Sequence, residues 1–94
     1  MRERDLERYF VKRMTESGGM VRKLVWPGHR GAPDRIVIFE NGKVLWAELK
    51  TLHGQIRPEQ LREHARLRQR KQLVWVIRDK GAVDRAARFA DATV

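Results

Sequence analysis

The chain contains no cysteine, which removes disulfides, thiolate zinc sites and thiol catalysis together. That composition is compatible with a reducing cytoplasm. No apolar run is long enough to span a bilayer. Met1-Arg2-Glu3-Arg4-Asp5 opens a charged amphipathic segment with no apolar stretch behind it, so no secretory signal is expected. Repeats, low-complexity tracts and linkers are also missing, and residues 1–94 are read as one domain. Acidic residues are few: 12 Asp and Glu stand against 21 Lys and Arg, for a formal charge of +9. A small domain this basic concentrates polyanions around itself, and nucleic acid is the expected partner. A membrane surface would call for a basic helix with a bulky Trp, Phe or Leu face. The most basic helix here carries mainly Leu and Ala. At this size roughly two-thirds or less of the unfolded surface can be buried, so self-association is a natural source of extra stability.

Hydrophobic spacing sets out the elements. Leu6, Phe10, Val11 and Met14 share a helical face from about Glu3 to Ser17, and Ser17-Gly18-Gly19 stops it. Met20 to Trp26 reads as a first strand, followed by a loop through Pro27, Gly28, His29, Arg30, Gly31, Ala32 and Pro33. Asp34 to Phe39 and Lys43 to Lys50 form the arms of a hairpin. A loop from Thr51 to Arg57 leads to Pro58, which suits the first turn of a helix running to about Lys71. Leu73-Val74-Trp75-Val76-Ile77 has the pattern of a buried strand. Val83, Ala86, Ala87 and Ala90 mark a closing helix. The resulting order, αβββαβα, implies an α/β fold with a mixed sheet flanked by helices.

Chemistry concentrates at the hairpin. Pro33-Asp34 precedes one arm, and Glu48-Leu49-Lys50 ends the other. Two carboxylates can hold a hard divalent cation, and a neighbouring lysine can orient or help deprotonate an attacking water. A two-residue Asn41-Gly42 turn would put Asp34 and Glu48 on opposite faces. A three-residue loop, Glu40-Asn41-Gly42, pairs Phe39 with Lys43 and Asp34 with Glu48, with Gly42 where positive φ is required. The site therefore favours the second turn; with the first, a bulge beside Asp34 would have to restore the phase. An ordinary solvated strand is the competing reading, but Val44 and Trp46 make the Glu48–Lys50 face otherwise apolar.

Other candidates surround this centre. Glu7 falls within the apolar stripe of the first helix, where a carboxylate is costly without a compensating cation or hydrogen bonds. It could complete a metal shell directly or through water, with Glu3 as the fallback. Gln60, in the first turn of its helix, could reach a phosphate or a metal-bound water. Arg62, Arg66 and Arg70 recur every four residues; such a row is either a solvated face or a track for a DNA backbone. Arg30 and Arg57 are further candidates for phosphate contact. His29, His53 and His64 do not form a ligand set: the first two lie in loops, and His64 is placed at the core margin. Trp26, Trp46 and Trp75 all fall in predicted strands, as packing residues.

Leu6-Glu7, Gly31-Ala32-Pro33-Asp34-Arg35-Ile36, Ala47-Glu48-Leu49-Lys50 and Pro58-Glu59-Gln60 together resemble the PD-(D/E)xK nuclease superfamily. The closer resemblance is to the stand-alone virus-type replication-repair nuclease (VRR-NUC) domain of phages and bacteria. That resemblance spans nearly the whole chain and implies a restriction-endonuclease-like core with magnesium- or manganese-dependent DNA cleavage. It further implies metal binding by Asp34, Glu48 and the backbone carbonyl of Leu49, assistance from Glu7, and a role for Lys50 toward the nucleophile. Gln60 matches the family's glutamine. Arg57 departs from the Ser or Thr helix cap more usual at that position. Homodimers acting on branched DNA such as four-way (Holliday) junctions are also implied, in a bacterial or phage-infected cytoplasm. A non-catalytic DNA-binding module on the same fold, and a structure-blind exonuclease or restriction-type subunit, are the rival readings.

Overall fold

The computed structural model describes residues 1–89. Its elements are α1 (Glu3–Glu16), β1 (Met20–Lys23), β2 (Arg35–Ile38), β3 (Val44–Leu49), α2 (Pro58–Gln69), β4 (Leu73–Ile77) and α3 (Lys80–Phe89). The element order is therefore the one the sequence predicts. The four strands form one sheet in the order β1-β2-β3-β4. The first three run antiparallel to their neighbours, and β4 lies parallel to β3 after the α2 crossover.

The ends of α1 and α2 are both closed by hydrogen-bonded caps. After α1, the Gly18 and Gly19 amides donate to the Thr15 and Met14 carbonyls, with Gly18 at φ +82°. The same two-bond pattern closes α2 through Lys71 and Gln72. There the left-handed residue is Lys71, at φ 66°, a conformation that costs a side-chain-bearing residue about 1 kcal/mol. Helical periodicity runs through Lys71 without a glycine to mark the end, so the sequence reading extends α2 two residues too far.

Strand alternation separates two sides of the sheet. Val37, Leu45, Ala47, Leu49 and Ile77 face α1 and α3, where Leu6, Phe10, Met14, Val83, Ala86 and Ala87 complete an apolar core. The predicted contribution of Ala90 lies outside the described residues. On the opposite side α2 covers part of the sheet and buries Gln60, Glu63 and His64.

The hairpin adopts the three-residue loop. Ile38 pairs with Val44 and Arg35 with Ala47, Gly42 donates to the Phe39 carbonyl, and Gly42 has φ +87°. Continued by one residue, this register sets Asp34 opposite Glu48. The first strand is shorter than predicted. It ends at Lys23, with one further bond from the Leu24 amide to the Asp34 carbonyl. Val25 is exposed and Pro27 has no amide to donate. Trp26 is thus a loop residue rather than a strand residue, and its ring meets Trp46 edge-on at 6.1 Å.

Candidate active site

Three elements deliver the site: the loop before β2, the end of β3 and the first two turns of α2. Asp34 is held by its own neighbour in the sheet, since the Leu49 amide donates to Asp34 Oδ2 at 2.8 Å. Glu48 is almost entirely buried, at 1% exposure. Gln60 Nε2 donates to Glu48 Oε2 at 2.8 Å, while Gln60 Oε1 accepts the Arg57 amide at 2.9 Å. One glutamine therefore supports the carboxylate and also satisfies the amide just before the helix. The Gln60 side chain thus reaches back to the N-cap amide as the N3 half of a capping box does.

Gly31 permits this convergence. It has φ +91°, and a Cβ at that position would stand 2.3 Å from the Glu59 carbonyl oxygen. Only a residue without a side chain lets the 27–33 loop press against the first turn of α2. That contact brings the segment ending in buried Pro33, and hence Asp34, toward Gln60.

The electrostatics at Glu48 are unusual. Burial, and next the negative charge of Asp34, push its pKa from 4.5 up to about 7, against a smaller opposing pull from Lys50. Glu48 Oε1 has no hydrogen-bond partner. Two crowded carboxylates, one with an unsatisfied oxygen, form a donor set that suits a hard divalent cation. Among the described residues no third His, Cys, Asp or Glu joins them in a cluster able to hold a metal. Lys50 is half-buried, two residues beyond Glu48, and its amide is fixed by the Ile77 carbonyl at 3.0 Å.

Glu7 is placed differently from the sequence reading. It is half-buried rather than part of the core, and its Oε1 lies 3.4 Å from Arg35 Nη2. Arg35 is the cation that compensates it. Because Arg35 pairs with the core residue Ala47, this ion pair belongs to the α1 side of the sheet. Arg30, Arg57, Arg62, Arg66 and Arg70 are all exposed, as are His29 and His53. Arg66 also pairs with Glu63, and Arg57 with Glu59.

His64 departs most from its predicted place. It lies not at the core margin but 1% exposed, with Nε2 3.8 Å from Glu48 Oε1. Burial, and next the charge of Arg68, hold its pKa below the usual histidine value. Its spacing of four residues from Gln60 carried the signal, since that interval puts both side chains on one helix face.

No family model matches the sequence. Over 67 residues the chain is 45% identical to "Putative nuclease p44" of Acyrthosiphon pisum secondary endosymbiont phage 1, covering 71% of this chain and 72% of that protein. A solved structure described as a VRR_NUC domain superimposes with a TM-score of 0.85 at 37% identity. It covers 92% of this chain and 94% of its own.

Proposed function

The chain belongs to the VRR_NUC nuclease domain family, and from that premise we propose that it is a divalent-metal-dependent DNA endonuclease acting on branched DNA. The observation that carries the metal reading is buried Glu48, its Oε1 unpartnered and its proton affinity raised beside Asp34. Asp34, Glu48 and the Leu49 carbonyl are the residues that would hold Mg2+ or Mn2+; Glu7, paired with Arg35 on the α1 side of the sheet, is left out of that set. When bound, the cation would polarise the scissile phosphate and stabilise the leaving oxygen.

The chain's own residues do the rest. Gln60 and the Leu49 amide keep the two carboxylates in place, so little reorganisation accompanies the reaction. Lys50 orients the attacking water and helps remove its proton. Arg30, Arg57, Arg62 and Arg66 hold the DNA backbone by neutralising phosphates, which supplies affinity without base specificity.

A homodimer is part of the proposal. Paired Met20 and Ile38 are 45% and 37% exposed on a sheet face that the described helices leave open. Trp26 is half-buried beside Trp46 on the same side. A two-fold partner there would bury apolar surface and set two sites on the two strands of a symmetrical junction. No described helix is long and apolar enough to cross a membrane. The phage relative fits a phage or bacterial setting for this activity.

The test is digestion of linear, flapped and four-way DNA with Mg2+, with Mn2+ or with chelator. Cleavage that needs metal and favours the four-way substrate is expected. Equal cleavage in chelator would remove the metal from the proposal, and equal rates on all substrates would remove the branch preference. Sedimentation equilibrium at micromolar protein tests the dimer, and a clean 11.1 kDa species would contradict it.

A further inference from the structure

Among the described residues, four buried side-chain atoms have no hydrogen-bond partner: Arg35 Nε, Glu48 Oε1 and both ring nitrogens of His64. Three of the four meet at one place. Each unpaired buried polar group costs roughly 1–3 kcal/mol, and a leucine or phenylalanine could fill the His64 site without that cost. His64 and Gln60 lie one helical turn apart and address the two oxygens of the same carboxylate. Gln60 already donates to Oε2 at 2.8 Å, and His64 Nε2 stands 3.8 Å from Oε1.

We infer that His64 is a positioning residue for Glu48, its Nε2–H closing onto Oε1 so that glutamine and histidine together clamp the carboxylate. Closing the gap to hydrogen-bond length requires a shift of about 1 Å. A neutral imidazole has one N–H to give, and burial favours that neutral form. The donor therefore orients Glu48 without placing a second full positive charge against a bound cation. Each carboxylate oxygen has two lone-pair sites, so both hydrogen bonds leave room for a metal. His64 is assigned no contact of its own with metal or DNA. It acts through Glu48, an inference that rests on the metal-binding reading proposed above.

Two variants separate positioning from packing. His64→Leu keeps apolar volume and loses the donor, and His64→Gln keeps an N–H donor. Calorimetric titration with Mn2+ alone should show His64→Leu binding about ten- to a hundredfold more weakly than wild type. His64→Gln should recover most of that loss, and metal-free melting of His64→Leu should show an intact fold. In the metal-free wild type, two-bond 1H–15N correlations should show the Nε2–H tautomer, with its resonance displaced by Glu48→Gln. Wild-type Mn2+ affinity in folded His64→Leu would overturn the inference alone, as would an Nδ1–H tautomer insensitive to Glu48→Gln. Absence of Mn2+ binding by the wild type would overturn the metal-site reading and the inference with it.

Discussion

On the α1–α3 side of the sheet the clustered buried residues are apolar throughout, from Phe10 and Met14 to Leu45 and Val83. At the rim of that side most polar groups are paired, Arg35 Nε being the one unpartnered buried atom there among the described residues. The Tyr9 hydroxyl donates to Asp84 Oδ1 at 2.7 Å, Arg13 Nε lies 3.1 Å from the same oxygen, and these bonds hold Asp84 below the usual carboxylate range. On the α2 side the buried residues include Glu48, Gln60, Glu63 and His64. Here the central carboxylate is pushed upward and three of its region's polar atoms have no partner. One side of the sheet holds the fold together. The other stores unsatisfied polar groups at a place where chemistry needs them, as functional sites do at a cost in stability.

The difference can be broken at either side. The largest effects should come from the α2 side: Lys50→Ala and Asp34→Asn should lower junction cleavage by about 10²–10⁴-fold. DNA affinity should stay within a small factor, because many arginines and lysines share the phosphate contacts. Gel-shift and single-turnover assays on the same preparations check both halves. A parallel collapse of affinity would make these residues binding groups instead.

On the apolar side, Phe10→Ala should cost about 3–5 kcal/mol by emptying a fully buried ring position. That loss should be the same at pH 5 and pH 8, since no titrating group lies in the buried cluster. Urea denaturation at the two pH values measures it.

Metal-free protein should also lose stability as pH rises, through Glu48. Its folded pKa of about 7 lies above the ordinary 4.5, so between those values the folded state holds a proton that the unfolded state has released. Stability then falls as pH climbs through that window, by about 3 kcal/mol. Saturating Mg2+ should offset the fall, and Glu48→Gln should abolish it. A flat stability profile in the metal-free wild type would contradict the strained carboxylate. The smallest effect belongs to the outer face of α2. Arg62→Ala with Arg66→Ala should flatten the dependence of log affinity on log salt by about 0.9 for each phosphate no longer neutralised. An unchanged slope would return that row to solvent.

How much of this was legible in the sequence follows the range of the interactions. The local Asn41-Gly42 signal left two hairpin registers open, and it was the requirement that Asp34 face Glu48 that selected the three-residue loop, with strand alternation carrying the phase between them. Gln60 was readable as a polar residue in a first turn, although its double hydrogen bonding was not. Trp26 and the end of α2 depended on a partner distant in sequence and on a backbone cap without glycine; the place of His64 was signalled by its four-residue spacing from Gln60, although its neighbour Glu48 comes from another element. Glu7 shows the same limit from the other direction. Its misfit in an apolar stripe was visible, but the cation that answers it, Arg35, comes from a strand 28 residues away.

The most direct test of the central claim is Glu48→Gln digestion of a four-way junction, with Mg2+ present and the variant's fold verified. Glutamine keeps the volume and the Gln60 contact but removes the charge that would hold the cation. The expected result is no detectable cleavage by protein that still shifts the junction and, metal-free at pH 8, melts higher than wild type. Cleavage at the wild-type rate by the purified variant would contradict the account.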